Sequence, residues 1–322
     1  MRQTPQSTVR TPLNRILATE THVRILRALT RSDQPLSAAD LAESAQRQIA
    51  GVRRASADLV DTGIVEPMGA QRNRLYRLRD AHPLARGLRS LFREESDRLP
   101  RMVAAIGEAA RQLDPPPIAV WMQGPAVTGT DREEHHLVIG LLAGATEIDR
   151  LADRLREELG EVETTEDVTI EIRAFTRADL LTLAPGEHEE LANTAPIVGL
   201  PPSMLNDTRR KLPPRRPPAR SHAELDARSI AIASLIAEKL ARDPALIGRA
   251  QRWVANRMLR ASPQESRELQ EWEHVLRTTS LPRLQRLLVD RGPWATRLRQ
   301  TLPFAEVLTP AERDRILGGS GT

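Results

Sequence analysis

The chain contains no cysteine. That excludes disulfide staples, thiolate zinc sites and cysteine nucleophiles, and it suits a reducing compartment. Aromatic residues are nearly as scarce, with four Trp, three Phe and one Tyr among 322 residues. The core must therefore be built from Leu, Ile, Val and Ala, and a hydrophobic content of 40% supplies enough of them. Lysine is almost missing too: Lys211 and Lys239 stand against 45 arginines. The arginine fork suits phosphates and guanine edges, although a GC-rich genome produces the same bias. No apolar run reaches the roughly 18 residues of a membrane span. Met1 to Arg10 is polar and lacks the apolar stretch of a signal peptide. A soluble cytoplasmic protein is expected.

Charge is abundant, and it is unevenly distributed. Residues 1–90 carry 15 basic and 8 acidic side chains, net +7. Residues 91–113 are balanced, residues 114–208 carry net −13, and residues 209–322 carry net +10. The acidic middle repels a polyanion. The basic ends are suited to binding one, or to binding the acidic middle itself.

In the N-terminal segment, Val23, Ile25, Leu26 and Leu29 recur at helical spacing over residues 20–31. Ser32-Asp-Gln-Pro35 breaks that helix. Ser37-Ala-Ala-Asp40 then has the spacing of a capping box, which predicts a short helix from Ala38 to Ala45 with Leu41 inside. After the turn Gln46-Arg47, a further helix starts near Gln48 and buries Val52, Ala55, Leu59 and Val60. It stops at Thr62-Gly63, where a left-handed C-cap is expected. Ile64-Val-Glu66 and Leu75-Tyr-Arg-Leu78 read as strands around a polar, glycine-containing tip.

Val52-Arg-Arg-Ala55, Leu59-Val60 with Gly63-Ile-Val65, and Tyr76-Arg-Leu78 with His82-Pro-Leu84 carry a resemblance. Residues 12–92 resemble the bacterial winged helix-turn-helix of the ArsR type, in the version joined to a nucleotidyltransferase-like domain. One departure is Gln46, where the turn usually holds glycine. The resemblance implies that the second helix of the motif enters the major groove with its N-terminal part at base edges. Gln48, Arg53 and Arg54 are the polar side chains there, suited to adenine and guanine respectively. Arg72 and Arg74 on the wing, Arg47, and the amides near Ser37 are the expected backbone contacts. Residues 83–113 read as one long amphipathic helix interrupted by Pro100. Helices in this position often pair two subunits, and a homodimer would match a two-fold operator.

Pro115-Pro-Pro117 marks a boundary. Beyond it, Ile118–Met122, Leu137–Leu142 and Val168–Phe175 read as strands, and 147–159 and 176–183 as helices. The stretch from Val120 to Gly144, with the tail LANTAPIVGLPPSML, resembles the minimal nucleotidyltransferase domain of the polymerase-β-like superfamily. An active member has Gly-Ser at the phosphate turn and two aspartates spaced D-x-D on the next strand to hold metal ions. This chain keeps Gly124 but has Pro125, which offers neither hydroxyl nor N–H. The aspartate positions fall on His136 and Val138. Valine cannot ligate, and one imidazole cannot replace two carboxylates for magnesium. Glu171 on the third strand is either a leftover carboxylate or a surface residue. Glu133, Glu134, His135 and His136 read as a charged loop rather than a metal site. The fold is thus expected without the chemistry, with no catalytic residue, cofactor or metal.

Residues 209–222, including RRKLPPRRPPAR, read as a basic proline-rich linker, and residues 223–322 as helical. SLIAEKLARDPALIGRAQRWV and RLRQTLPFAEVLTPAERDRIL vaguely resemble small proteins of toxin–antitoxin cassettes. A final short helix is expected after Leu308. Arg267 and His274, on one helix, loosely match the R-x(4–6)-H spacing of HEPN ribonucleases, a pattern that arises readily in an arginine-rich chain.

The sequence therefore predicts a mainly helical α+β protein. Its parts are a winged helix-turn-helix over 1–92, a connecting helix over 93–113, a degenerate nucleotidyltransferase-like domain over 114–208, a linker, and a C-terminal helical domain over 223–322. The expected function is double-stranded DNA binding by a dimeric, non-enzymatic repressor of antitoxin-like character, nucleoid-associated when bound to DNA. The central or helical domain would sense or bind a partner protein. The alternatives are an active nucleotidyltransferase, a ribonuclease using Arg267 and His274, and a protein-interaction scaffold.

Overall fold

A computed structural model describes residues 13–70, 74–132, 135–183, 190–200, 202 and 222–304. It is a mixed α+β structure, mostly helical, with one three-stranded and one four-stranded sheet. The chain gathers into two compact units, Met1–Pro100 and Arg101–Thr322. No described helix is long and apolar enough to cross a membrane.

The first unit begins with a short helix α1 (Leu13–Ile16) and α2 (Glu20–Arg31), whose Thr19 side chain caps the N-terminus. A two-residue strand β1 (Leu36–Ser37) leads into α3 (Ala38–Ala45). The expected capping box is present: Ser37 Oγ accepts the Asp40 N–H at 3.2 Å, and Asp40 accepts the Ser37 N–H at 3.0 Å. These bonds, the backbone one first, hold the exposed Asp40 carboxyl below its ordinary value. Gln46 then adopts the left-handed conformation, φ 50° and ψ 48°. This is the conformation that favours glycine. The turn nevertheless closes, with the Arg47 N–H on the Ala42 carbonyl at 3.0 Å. Helix α4 (Ile49–Asp61) follows and ends before Gly63 at φ 76°.

Two strands, β2 (Val65–Met68) and β3 (Leu75–Leu78), form a hairpin, and β1 pairs with the outer side of β3. The second of these strands lies where expected, and the first starts one residue later. Strand β1 has no expected counterpart, because two residues carry no period. The core is aliphatic as composition required: Ile25, Leu26, Leu41, Val52, Leu59 and Ile64 have no exposed surface. Truncating any of these leucines to alanine removes about 2–5 kcal/mol. Helix α5 (Ala85–Gln112) contains Pro100, the last residue of the first unit. Its first turns supply Ala85, Leu88 and Phe92 to the first core, and its last turns supply Met102, Ile106 and Ala110 to the second.

In the second unit, β4 (Ala119–Gln123) is followed by a one-turn helix α6 (Pro125–Thr128) and by β5 (Leu137–Leu142). The helix expected over 147–159 is α7 (Ile148–Glu158), and a further helix without an expected counterpart, α8 (Gly160–Glu166), follows it after Leu159. Strand β6 (Ile170–Phe175), α9 (Arg177–Leu181) and β7 (Ala195–Val198) complete this part. The sheet order is β6-β5-β4-β7, with only the β5–β6 pair parallel. Alternation sends Val120, Met122, Ile139 and Leu141 to one face, against α5, α7 and α8. Ala119, Trp121 and Leu142 go to the other. Trp121 lies over Gly140, where an added Cβ would fall 2.1 Å from the indole. Glycine is therefore needed at 140 to seat the ring.

The C-terminal helices are α10 (His222–Arg242), α11 (Leu246–Met258), α12 (Pro263–Thr278), α13 (Leu281–Val289) and α14 (Pro293–Leu298). Their core is built on Ile236, Leu240, Val254, Trp272, Leu284 and Phe304. Residues 101–322 gather into one compact unit, in which the central sheet and the C-terminal helices each keep their own core. Ion pairs join the two parts. Asp149 and Asp153 meet Arg267 at 3.3 and 3.7 Å, Asp167 meets Arg283 at 3.4 Å, and Arg156 meets Glu271 at 3.3 Å. At the centre, buried Glu163 accepts from the Ile170 N–H at 2.7 Å, from the Thr278 hydroxyl at 3.1 Å, and pairs with His274. Of the two partners offered by the charge distribution, the basic C-terminal segment engages the acidic middle.

Candidate nucleic-acid interface and the central cleft

The side chains singled out in the first unit meet different fates. Arg53 and Arg54 lie in the second turn of α4 and point away from its buried row Val52, Ala55, Ser56 and Leu59. Both are exposed, and neither has an ion-pair partner among the described residues. Gln48 is the N-cap of α4, and its side chain makes no capping bond, so its amide is available at the helix mouth. Arg74, at the loop end of the hairpin just before β3, is also exposed. Arg72 lies outside the described residues.

Arg47 and Ser37 are already engaged. Arg47 pairs with Glu20, which also holds Arg24 at 2.8 Å. The Arg24 hydrogen bond, then the Arg47 charge, holds the Glu20 carboxyl below its ordinary value. The Ser37 hydroxyl is occupied in its capping box.

Three arginines that the sequence reading passed over line one side of α2. Arg24, Arg27 and Arg31 border a cleft of about 600 Å³ with Ser44 and Gln46. Arg24 donates to the Ala45 carbonyl at 2.9 Å. Arg27 grips Glu95 with two bonds of 2.5 and 2.7 Å and lies 5.5 Å from the Phe92 ring centre. These contacts fasten α2 to its neighbours. The spacing 24, 27, 31 was a readable signal for a shared helix face.

In the second unit, the strand register sets two of the positions singled out from sequence, Val138 and Glu171, side by side. Gln123, Val138 and Glu171 form one row across β4, β5 and β6, and Trp121, Gly140 and Arg173 form the next. Gly124 has φ 82°, and Pro125 opens α6. Val138 is a buried apolar group in the middle of its row. Glu171 is buried and accepts from Arg173 Nε at 2.8 Å; Arg173 also meets Glu190 at 3.0 Å. Burial alone would lower the Arg173 guanidinium, but the bonds and charges of Glu171 and Glu190 together raise it above the ordinary arginine value.

His136 lies 3.3 Å from Asp290 and packs edge-on against Trp294, with ring centres 5.0 Å apart. Burial pushes Asp290 up, but His136 and the Gly292 and Arg291 amides outweigh it and leave the carboxyl below its ordinary value. Pro293, Trp294 and Arg297 of α14 help to line a cleft of about 390 Å³ over this face, with Gln123, Glu171 and Arg173. Gln123, Arg173, Asp290 and Trp294 were not singled out from sequence. Gln123 and Arg173 were findable by counting along the strands. Asp290 and Trp294, more than a hundred residues away, carried no such signal.

Among the described residues, no group of three or more His, Asp or Glu side chains is placed to hold a metal ion. Glu133 and Glu134 lie outside them. Arg267 and His274 serve the docking of α12: Arg267 is spent on Asp149 and Asp153, and His274 is buried on Glu163. No protein-family model, curated protein or solved structure matches the chain.

Proposed function

We propose that this protein is a DNA-binding transcriptional regulator, a homodimeric repressor that reads double-stranded DNA through α4. The observation that carries the reading is the order α2, β1, α3, turn, α4, hairpin, with Arg53 and Arg54 exposed and unpaired on the second turn of α4. A winged helix-turn-helix has this order, and its second motif helix lies in the major groove. The left-handed Gln46 supports it, because it lets α3 hand over to α4 without the usual glycine.

Arg53 and Arg54 are assigned to base edges, Gln48 to the helix mouth, and Arg74 with Arg72 to the phosphates beside the hairpin. Arg47 and Ser37 contribute less, since Glu20 and Asp40 already occupy them.

The central sheet is read as a nucleotidyltransferase-like fold without catalysis. Val138 sits between Gln123 and Glu171, and Glu171 is neutralised by Arg173. Two metal ions bridging a triphosphate need clustered carboxylates, and this row offers one.

The test is an anisotropy titration of the full chain against its own upstream DNA and against random DNA of equal length, at two salt concentrations. Preferential binding that weakens steeply with salt supports the reading. Equal affinity for both DNAs at both salts would falsify it.

A further inference from the structure

We propose that the groove between the second half of α5 and α7–α8 is a docking site for a basic amphipathic helix of a partner protein. The groove encloses about 370 Å³. Its floor is apolar and shallow: Met102, Ala105, Ala109 and Val162. Arg101 to Gln112 spans about three helical turns, and small residues at 105 and 109 leave room for a third helix to lie alongside.

The rim decides the occupant. It carries four carboxylates, Glu108, Glu158, Glu161 and Glu166, against the single guanidinium of Arg101. Glu166 faces Arg101 at 3.8 Å, and Glu108 is loosely held by Arg111 at 3.4 Å. Glu158 and Glu161 are exposed and have no ion-pair partner among the described residues. Of the other acids of α7 and α8, Glu157 is also exposed without an ion-pair partner among the described residues but does not line the groove, and Glu166 is the one facing Arg101. Asp149, Asp153 and Glu163 are each met by Arg267 or His274 from α12. Of the three carboxylates left over on these helices, Glu158 and Glu161 border the apolar trough. A helix with leucine-like side chains on one face and Arg or Lys on its flanks satisfies both features, and an acidic or purely polar helix satisfies neither.

The experiment uses the full chain and a fluorescent amphipathic peptide of about 14 residues, with leucines on one face and lysines on the other. A peptide of the same composition, scrambled so that no face is apolar, is the first control; a leucine–glutamate version is the second. The leucine–lysine helix is expected to bind, the scrambled peptide to bind at least about tenfold more weakly, and the glutamate version not to bind. The double substitution Glu158→Arg/Glu161→Arg, both at exposed positions, should weaken the lysine helix about tenfold or more. Ala105→Gln, which fills the floor with a polar side chain and leaves the charge unchanged, should weaken it as well.

Circular dichroism confirms that each variant is folded, and DNA titration of the same samples should show unchanged affinity. That control separates loss of the groove from failure of the DNA-binding reading. No binding of the lysine helix to the wild type overturns the proposal. So does equal binding of the scrambled peptide, which would reduce the effect to charge alone, or unchanged affinity in the double variant.

Discussion

The arginines of α4 and those of the C-terminal helices are used in opposite ways. In α4 of the first unit, Arg53 and Arg54 stand exposed with no carboxylate to meet them. In the C-terminal helices, Arg267, Arg283 and Arg297 each face an acid: Asp149 with Asp153, Asp167, and Glu271. The same side chain is a free cation in one place and part of a seam in the other. Net charge along the chain therefore misleads. Two of the arginines counted in the +10 of residues 209–322, Arg267 and Arg283, answer acids of the −13 stretch over residues 114–208.

The seam can be broken most forcefully at its centre. Glu163→Ala leaves His274, the Thr278 hydroxyl and the Ile170 N–H without their shared acceptor in a buried setting. Removing one partner from such a network costs about 3–5 kcal/mol. Urea unfolding should show that loss in the second unit, while DNA affinity stays as it was. Loss of DNA affinity at full stability would place the seam in the function of the first unit.

The next effect concerns the free arginines. Arg53→Ala should remove about 1–3 kcal/mol of discrimination between operator and random DNA, with stability unchanged within about 0.5 kcal/mol. Arg74→Ala should instead weaken binding to all sequences alike and reduce the salt slope by about one. Preserved discrimination in the Arg53 variant would move base reading away from α4.

A smaller effect should follow acidification. His22 is held below its ordinary value by burial, which outweighs the charge of Asp58 3.8 Å away, and His82 is lowered by burial and then by Arg79. Both bind a proton less readily folded than unfolded, so stability rises with pH. The contribution is complete above the ordinary histidine value of about 6.5 and fades as pH drops below it. Thermal unfolding of the first unit should therefore shift downward between neutral and mildly acidic buffer. His22→Gln should reduce that shift, and an unchanged shift would remove His22 from the account.

The least effect is expected at the seam's edge. Arg267 is half exposed, and its pairs with Asp149 and Asp153 are the kind that contribute about 0.2–1 kcal/mol. Arg267→Ala should barely move the urea midpoint. A loss as large as that of Glu163→Ala would show the edge to be as tightly coupled as the centre.

How legible all this was depended on distance along the chain. The capping box at Ser37, the stop at Gly63 and the strand Leu75–Leu78 were readable, because each rests on residues within a few positions of one another. Strands β1 and β7 were missed; one is too short for alternation, and the other contains a proline. The positions of Val138 and Glu171 along their strands were readable, and the β4–β5–β6 register then set them in one row. The engagement of Arg47 by Glu20 spans 27 residues, and that of His274 by Glu163 spans 111. No local pattern announces such pairs, so the sequence could nominate these side chains without telling which were already taken.

All four tryptophans, at 121, 253, 272 and 294, fall in the second unit, and the first has none. The Trp121 ring rests over Gly140, stacks on Phe175 at 5.6 Å and donates to Gln123 at 2.8 Å. Indole emission is consequently a private signal of the second unit, with a dry, fixed reporter in its sheet. Far-ultraviolet dichroism sees both units together. Melting the protein while recording both signals resolves two unfolding events without a label, so the scarcity of aromatic residues gives the molecule its own spectroscopic address.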